Sequence, residues 1–224
     1  MNAPTHQIVI LGAGYTGMLA AVRLARRTRK QAVRITLVNP SARFTERLRM
    51  HQIAAGQELA DHRIPELLDG SGVVFHQAAA TAIDTTARMV ALDDGTALSY
   101  DNLIYALGSS TDTSLVPGVD EHAWTLNDPR LAHRFSLRLG EVSDREGSVT
   151  VCGGGLTGIE AATEIAEAHP RLTVTLISAT EPGWMMGEKA RAHLNRAMGP
   201  ARGGAHGRCE GHQGADRRGV PGHR

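Results

Sequence analysis

The 224-residue sequence has few aromatic residues, only two cysteines and almost no net charge. Phe, Trp and Tyr make up 4% of the chain, so its core must be built mainly from aliphatic side chains. Lys and Arg number 24 against 23 Asp and Glu, a balance that provides no electrostatic footprint for nucleic acid. Cys152 and Cys209 lie far apart in the sequence and fit neither a disulfide framework nor a zinc site. We therefore predict no metal centre, no nucleic-acid partner and a reducing, cytoplasmic setting.

Long hydrophobic runs are also missing. The most apolar stretch, residues 8–22, contains three glycines and is too short to cross a bilayer. Residues 1–7 lack the cationic start and apolar block of a secretory signal. Hydrophobic residues at 42% and charged residues at 21% are typical of a globular protein. At about 150 residues per domain, the length predicts about one and a half domains.

A glycine-rich turn follows the first predicted strand. Residues 7–11 (QIVIL) form a short apolar run that is typical of a strand buried on both faces. Gly12-Ala-Gly-Tyr-Thr-Gly17 comes next, followed by a helix predicted from about Tyr15 to Arg29 and a second strand over 34–38. A strand, turn, helix and strand in this order predict a parallel sheet with a right-handed crossover.

The same pattern returns later in the chain. A strand predicted over 148–152 leads into Gly153-Gly-Gly155-Leu-Thr-Gly158, then a helix over 159–168 and a strand over 172–177. In such turns the first glycine permits a tight bend, the second lets the backbone approach a pyrophosphate, and the third lets helix and strand pack closely. Unpaired N–H groups and the helix dipole favour the anionic diphosphate. Two such turns in one chain therefore predict two dinucleotide sites.

Short strands are predicted between the two turns, over 79–83, 89–92 and 102–107. Asp93-Asp94-Gly95 is a strong hairpin signal, so we interpret this region as an antiparallel meander. A linker and a helix around 131–142 follow. The predicted fold class is α/β, with two Rossmann-like dinucleotide-binding folds, an intervening antiparallel β-meander and an incomplete second fold.

These motifs resemble those of the pyridine nucleotide–disulfide oxidoreductases, flavoproteins with two dinucleotide folds. The first glycine turn matches the family's FAD fingerprint, the second matches its NAD(P)H fingerprint, and residues 100–108 (YDNLIYALG) look like its second FAD signature, a strand ending in Ala-Thr-Gly. The resemblance implies FAD and NAD(P)H as cofactors. It assigns cofactor binding to Gly12, Gly14, Tyr15, Thr16, Gly17, Asn39, Ala106 and Gly108 in the FAD part, and to Gly153, Gly155, Leu156, Thr157, Gly158 and Glu160 in the NAD(P)H part.

The branch of the family follows from a missing thiol. Residues 39–52 hold no cysteine, which excludes disulfide reduction because no thiol is present there to take electrons from a flavin. The FTERLRMHQ run over 44–52 instead resembles the non-thiol branch, similar to type II NADH dehydrogenases. The resemblance implies hydride transfer from NAD(P)H to FAD and electron transfer to a quinone or another small-molecule acceptor. It requires no catalytic side chain. Peripheral membrane contact is an expectation for full-length members only, since the corresponding segment is absent here.

Four positions depart from the family pattern. Asn39 stands where an acid usually meets the adenosine ribose, and it can still accept from a ribose hydroxyl as a weaker, neutral partner. Leu107 replaces the threonine of Ala-Thr-Gly. The second NAD(P)H strand ends at Ser178 without the expected acid, and Glu181 comes three residues late with no arginine beside it in the sequence. The choice between NADH and NADPH stays open at this point.

Structural interpretations compete with functional ones at several residues. The basic run at 23–30 fits the solvated end of a helix, where cations complement the helix dipole. His51 and Gln52 can lie near the flavin by resemblance or can cap local structure, and the local role is favoured. Cys152 is predicted to be a small buried residue of a core strand. Apolar packing is favoured for 184–186 (WMM) over a place in the nicotinamide cleft.

The last 26 residues differ from the rest of the chain. Residues 199–224 hold eight Gly, five Arg, three His and two Pro, without helical or strand periodicity, and are predicted to be disordered. Such a composition also fits a GC-rich gene read out of frame, which would truncate the protein.

The predicted domains are 1–115 for FAD with the meander, 116–198 for part of the NAD(P)H fold, and the tail. The predicted function is an FAD-dependent NAD(P)H oxidoreductase impaired by truncation. The alternatives are a nucleotide-binding fragment without turnover and an unstable product without function.

Overall fold

The computed structural model describes residues 5–114 and 116–198, so the predicted disordered tail lies outside the described residues. The chain divides into two compact units between Gly140 and Glu141, later than the predicted domain boundary at 115/116. In the described residues the strands are β1 His6–Leu11, β2 Val33–Val38, β3 Val74–His76, β4 Ala80–Asp84, β5 Met89–Leu92, β6 Ala97–Ser99, β7 Asn102–Tyr105, β8 Ser148–Cys152 and β9 Thr173–Ile177. The helices are α1 Tyr15–Thr28, α2 Met50–Ala54, α3 Ile64–Leu67, α4 Val119–His122, α5 Pro129–Asp144, α6 Leu156–Ala168 and α7 Glu188–Ala197.

A parallel sheet forms the centre of the first unit. Its strand order is β3-β2-β1-β7, and β1 pairs in parallel with both β2 and β7, so that Ile8 lies opposite Ile35 on one side and Asn102 on the other. The last four residues of β1 are apolar, those of β2 are apolar apart from Thr36, and all eight are buried because both sheet faces are covered. The predicted α/β fold with a parallel sheet is confirmed.

Two buried clusters lie on opposite faces of this sheet. Ile10 and Leu37, both fully buried, pack with Ala21 of α1 on one face. Leu11, also fully buried, packs on the other face with Val90 of the antiparallel sheet. Successive side chains of a strand point to opposite faces, so β1 contributes to both clusters. The helix and the antiparallel sheet thus fix β1, and with it the turn that follows.

The amphipathic sequence of α1 matches its position, with one face buried against the sheet and the other exposed. Gly17 and Ala21 are buried, and Met18 and Leu24 pack against the first cluster. Arg26 and Arg27 lie exposed in the last turn, where positive charge complements the negative end of the helix dipole. The interpretation of this basic run as a solvated helix end agrees with these positions.

The antiparallel sheet has the order β4-β5-β6, with Val90 opposite Ile83 and Leu98. The predicted hairpin turn joins β5 to β6, and its Gly95 has φ of +82°, which a glycine adopts without strain. The prediction that residues 102–107 belong to this meander is wrong. Residues Asn102–Tyr105 pair with β1 instead, with Leu103 opposite Val9, because the half-buried Leu103 and Ile104 extend the core on the two faces of the parallel sheet.

The second unit contains the parallel pair β8–β9 and the helix α6. Val149 lies opposite Val174 and Val151 opposite Leu176, and these four side chains are half-buried. The alternate positions of both strands are exposed, which is the pattern of a sheet covered on one face. Ile159, Ala161, Ala162 and Ile165 are the buried residues of α6.

Three predictions of burial in this unit are wrong. Cys152 is exposed, because it occupies the open face of β8 rather than the covered one. Trp184 and Met185 are 59% and 77% exposed, so they do not pack into a core, whereas Met186 is half-buried beside Gly183. The alternation along β8 in the sequence was the signal for the open face. Among the described residues, none of the helices combines the length and apolarity that crossing a membrane requires.

Candidate functional site

The first glycine turn begins with a residue that only glycine fits. Gly12 has φ of +95°, its N–H donates to the Val38 carbonyl at 2.8 Å, and a Cβ on it would overlap the Ala106 carbonyl oxygen. The bend therefore sits where the carboxyl ends of β1, β2 and β7 meet. A side chain here would be strained by the backbone and would also push β7 away.

The other two glycines of this turn have opposite surroundings. A Cβ on Gly17 would overlap the Gly12 carbonyl oxygen, so this glycine permits close packing of α1 on the turn. A Cβ on Gly14 would have nothing within 4 Å, and Gly14 has φ of −74°, which any residue can adopt. Neither packing nor backbone conformation requires glycine at 14. The remaining reason for glycine at 14 is that it leaves the backbone accessible to a bound group.

The start of α1 is suited to an anion. The first turn holds no acidic residue, and no side chain in the described residues caps the helix through Gly14. The N–H groups of the first helical turn have no partners within a helix, and the dipole makes this end positive. Tyr15 and Thr16 are exposed beside it. A diphosphate is the type of group that such an end binds.

The strand-end signature lies directly against this turn. The N–H of Ala106 donates to the Leu11 carbonyl at 2.8 Å, and Ala106 Cβ is 3.6 Å from the Cβ position of Gly17. Gly108 has φ of +75°, and the Arg47 guanidinium Nη1 lies 4.0 Å from its Cβ position. Arg47 thus brings a positive charge to this edge. The sequence contained Arg47 within the run 44–52, but no local pattern placed it beside residue 108.

Asn39 has a structural task in this turn. Its side-chain Oδ1 accepts from the Ala13 N–H at 3.0 Å, and its Nδ2 donates to the Ser41 carbonyl at 2.8 Å. The half-buried amide therefore ties the turn after β1 to the loop after β2. Its oxygen has a second lone pair, so the bond to Ala13 leaves capacity for another donor.

The segment after β2 folds back beside Tyr15. The rings of Tyr15 and Phe44 meet edge to face at a centroid distance of 5.2 Å. Arg49 donates to Gln52 at 2.7 Å and lies 3.4 Å from the Glu46 carboxylate. Partial burial is the main reason that the pKa of Tyr15 is raised, the Glu46 charge raises it further, and Arg49 opposes both. Gln52 thus has a local role, while His51 lies in the short helix α2.

The second glycine turn repeats the first in detail. Gly153 has φ of +124°, and its N–H donates to the Ile177 carbonyl at 2.8 Å. Gly155 caps α6 with φ of −75°, and a Cβ on it would again have nothing within 4 Å. A Cβ on Gly158 would overlap the Gly153 carbonyl oxygen. The first turn of α6 holds no acidic residue, and no side chain among the described residues caps it, so this end also suits an anion.

The side chains predicted around this second turn lie at its surface. Leu156, Thr157 and Glu160 are all exposed on α6. Ser178, directly after β9, packs on the turn, since a Cβ on Gly154 would overlap its hydroxyl oxygen.

An arginine distant in the sequence lies near Glu181. The helix α7 brings the Arg191 guanidinium to 3.9 Å from the Glu181 carboxylate. No arginine is adjacent to Glu181 in the sequence, so this pair depends on the fold.

Comparison with known proteins agrees with this geometry. The sequence pattern of the family described as pyridine nucleotide-disulphide oxidoreductase matches residues 6–200. The type II NADH:quinone oxidoreductases of Staphylococcus epidermidis and Staphylococcus aureus are each 28% identical to the chain over 185 residues, a match covering 77% of this chain and 46% of theirs. The chain therefore spans about half the length of the curated relatives it matches.

Solved structures share the fold. NDH2 from Plasmodium falciparum, in complex with NADH, superposes with a TM-score of 0.70 at 18% identity, over 86% of this chain and 47% of its own. The sulfide:quinone oxidoreductase of Aquifex aeolicus gives a TM-score of 0.67 at 19% identity, over 79% of this chain and 44% of its own. At these identities the likeness concerns the fold alone. With two matched glycine turns and a family pattern that extends across both, the chain belongs to the pyridine nucleotide-disulphide oxidoreductase family.

Proposed function

We propose that this chain carries the nucleotide-binding part of an FAD-dependent NAD(P)H oxidoreductase that delivers electrons to a quinone or another small-molecule acceptor. The observation that carries the proposal is the pair of matched glycine turns. Each has an open second glycine and leads into a helix whose first turn lacks acidic residues. A single dinucleotide would occupy only one such turn. An enzyme that transfers hydride between two dinucleotide cofactors would use both turns.

The residues of the first turn fit the diphosphate of FAD. The open space beside Gly14 is a cradle that a methyl group would enter, and the α1 N-terminus supplies N–H groups and positive potential. Ala106 and Gly108 line the same edge, with Arg47 near Gly108. Asn39 would accept from the adenosine ribose through the oxygen that also holds Ala13. We therefore place FAD here.

The second turn fits the diphosphate of NAD(P)H by the same reasoning, through Gly155 and the exposed first turn of α6. When bound, FAD supplies the hydride acceptor and NAD(P)H the hydride. The chain's own residues would bind and orient the two cofactors, and no side chain is needed as a general acid or base. Residues 1–115 would form the FAD domain with the meander, and 116–198 the part of a second Rossmann-like fold that is present here. We propose the cytoplasm as the compartment.

A nucleotide-binding fragment without turnover is the second candidate function. One observation favours it: apolar side chains are exposed at the carboxyl end of β7. Tyr105 is 68% exposed and Leu107 is 45% exposed. In this case both nucleotides would bind, but the flavin ring would lack the contacts that align it with the nicotinamide.

Absorption spectroscopy of the purified full chain, with FAD added and excess removed, tests the two candidates. Retained yellow colour that NADH or NADPH bleaches under anaerobic conditions supports the oxidoreductase. Retained colour without bleaching, in protein that still binds ADP-ribose, supports the binding fragment. Gly14→Ala should abolish FAD retention, whereas Gly155→Ala should leave FAD bound and abolish bleaching. Protein that binds neither FAD nor ADP-ribose would refute both candidates.

A further inference from the structure

The strand β7 forms one edge of the parallel sheet and lacks the features that usually protect an edge. In the sheet order β3-β2-β1-β7 it pairs with β1 alone among the strands of the described residues. Natural proteins protect edge strands with charged residues, prolines, bulges or very short strands. The sequence of β7, Asn-Leu-Ile-Tyr, contains no charge and no proline, and its pairing with β1 shows no shift of register. This edge is therefore open to a further strand.

The opposite edge of the sheet is better protected. Its strand, β3, has only three residues, and the last of them, His76, is paired with the Asp94 carboxylate at 2.7 Å. A short edge strand with a polar contact at its end offers few backbone groups to another strand. Addition of a strand is therefore favoured at β7 over β3.

The backbone groups of Leu103 and Tyr105 point away from β1. Leu11 lies opposite Tyr105, and the Leu11 carbonyl accepts from the next residue, Ala106, at 2.8 Å. Alternate residues of a strand turn their N–H and C=O groups to opposite sides of the strand. Because the Ala106 N–H faces β1, the N–H and C=O groups of Leu103 and of Tyr105 face outward. These groups can bond to a further strand without disturbing the bonds to β1.

Exposed apolar side chains lie at the carboxyl end of this edge. Tyr105 and Leu107 are both exposed. Leu48 is 70% exposed, and it follows Arg47, whose guanidinium Nη1 lies 4.0 Å from the Cβ position of Gly108. Removal of apolar surface from water favours association, so a strand that covers this end would gain from these side chains.

The two ends of the edge carry opposite charges. Asp101 directly precedes β7, and its carboxylate accepts from the Gln7 N–H at 2.7 Å while its side chain stays 45% exposed. Arg47 is exposed at the other end, beside Gly108. Antiparallel pairing of two copies of this edge would bring the acidic end of each copy to the basic end of the other. The edge is therefore complementary to itself.

A twofold axis produces this arrangement. In a twofold dimer both copies use the same surface, and an axis perpendicular to the sheet relates the two edge strands in antiparallel directions. Pairing of β7 with a different edge, such as β3, would not close and would lead to open-ended assemblies. We propose that two copies of this chain pair through β7, in antiparallel directions, and join their four-stranded sheets into one. The pairing does not depend on cofactor binding at either glycine turn.

Sedimentation velocity of the purified full chain, over the micromolar concentration range, tests this proposal. We expect a concentration-dependent dimer of the 23.9 kDa chain. Tyr105→Lys should weaken the dimer by at least about tenfold, because it places a charge in the paired strand. Tyr105→Pro should weaken it to a similar extent, because it removes an outward N–H and none of the bonds to β1. Val74→Lys, at an exposed residue of the other edge strand, is the matched control and should change the dissociation constant by less than about twofold.

Exchange of the two charges tests the direction of pairing. Arg47→Glu and Asp101→Lys should each weaken the dimer by about tenfold, because each contact occurs twice in a twofold dimer. The double variant exchanges both charges and should return the dissociation constant to within about threefold of wild type. Circular dichroism verifies that each variant remains folded. Stronger association of the single variants would indicate parallel pairing, in which like ends meet, and would overturn the proposed arrangement.

Other results would also overturn the proposal. A dimer that Tyr105→Lys leaves intact, or that Val74→Lys weakens equally, uses another surface. Species that grow beyond a dimer with concentration indicate open-ended pairing. A wild-type chain that stays monomeric contradicts the pairing directly. If such a monomer binds an added peptide of residues 101–107, the edge accepts an extended segment of another protein rather than a second copy.

Discussion

The side-chain oxygen of Asn39 accepts a hydrogen bond from the backbone N–H of Ala13, at 3.0 Å, while its nitrogen donates to the Ser41 carbonyl at 2.8 Å. An aspartate at this position would accept from Ala13 but would face the Ser41 carbonyl with a second oxygen. The amide therefore matches two backbone groups of opposite character, which a carboxylate cannot do. The departure from the family's usual acid has a local structural reason.

Replacement of Asn39 by leucine should destabilise the chain by about 1–3 kcal/mol, because the Ala13 N–H is buried and would lose its acceptor. Denaturant unfolding measures this loss, and FAD affinity should fall with it. Asn39→Asp retains the acceptor and is the control, with a smaller loss of stability. Equal stability of Asn39→Leu and wild type would contradict the structural role.

The glycines at 14 and 17 should respond differently to alanine. Gly17→Ala would place a methyl group on the Gly12 carbonyl oxygen and should cost about 1–3 kcal/mol of unfolding free energy. Gly14→Ala enters open space at an ordinary φ of −74° and should change stability by less than about 0.5 kcal/mol. Its FAD affinity should nevertheless fall at least tenfold, since the methyl group occupies the cradle. Thermal unfolding and FAD titration of the two variants check both expectations, and a stable Gly17→Ala would show that the packing is looser than described.

Stability should depend on pH through Asp94. Its pKa is lowered from 3.8 to about 2, mainly by the hydrogen bond from His76 at 2.7 Å and next by the Thr96 N–H. The folded-state pKa is below the unfolded one, so the carboxylate stabilises the fold above about pH 4, and this contribution is lost as the pH falls towards 2. The difference in melting temperature between wild type and Asp94→Asn should therefore be largest near pH 6 and shrink below pH 4.

His76→Phe provides the control for this dependence. It removes the main cause of the lowered pKa, so the pKa of Asp94 in the folded state moves towards its unfolded value, and the loss of stability between pH 4 and pH 2 should be smaller than in wild type. If the difference in melting temperature between wild type and His76→Phe stays constant from pH 6 to pH 2, the link between His76 and Asp94 is contradicted.

The thiol of Cys152 should react in the folded protein. Its side chain is exposed on the open face of β8. In a Cys209→Ser background, a thiol reagent should modify Cys152 at a rate within about tenfold of the rate in denaturant. The double variant lacking both thiols gives the background. Modification that requires denaturant would show that this face is covered.

The sequence predicted the elements that have strong local signals. The strand β1, the helix α1 and the strand β8 were each placed within a residue or two, because apolar runs and glycine turns mark their ends. The strand β3 was missed, since three residues give no periodicity to detect. The third strand predicted for the meander belongs to the parallel sheet instead. A short apolar run such as 102–105 can pair in parallel or antiparallel, and its position beside β1 determines the direction of pairing.

In the candidate site, too, features with a local sequence signal could be predicted, whereas contacts between distant residues could not. Gly12, Gly14 and Gly17 could be placed from their spacing, since the turn determines their surroundings. The links between Ala13 and Asn39 and between Glu181 and Arg191 join residues distant in the chain, so no pattern in the sequence contained them. The prediction that Cys152 is buried was wrong because it treated β8 as a core strand, whereas one face of β8 is exposed.

The two glycine turns are alike in geometry but are carried by supports of different stiffness. The first turn follows β1, which is paired on both sides, whereas the second follows β8, which in the described part of the chain is paired with β9 alone. Local opening of a structure is governed by how many contacts must break at once, so amide hydrogen exchange should be slower at Gly12 than at Gly153. A rigid support suits a cofactor that stays bound through many turnovers, and a softer one suits a nucleotide that must enter and leave in each.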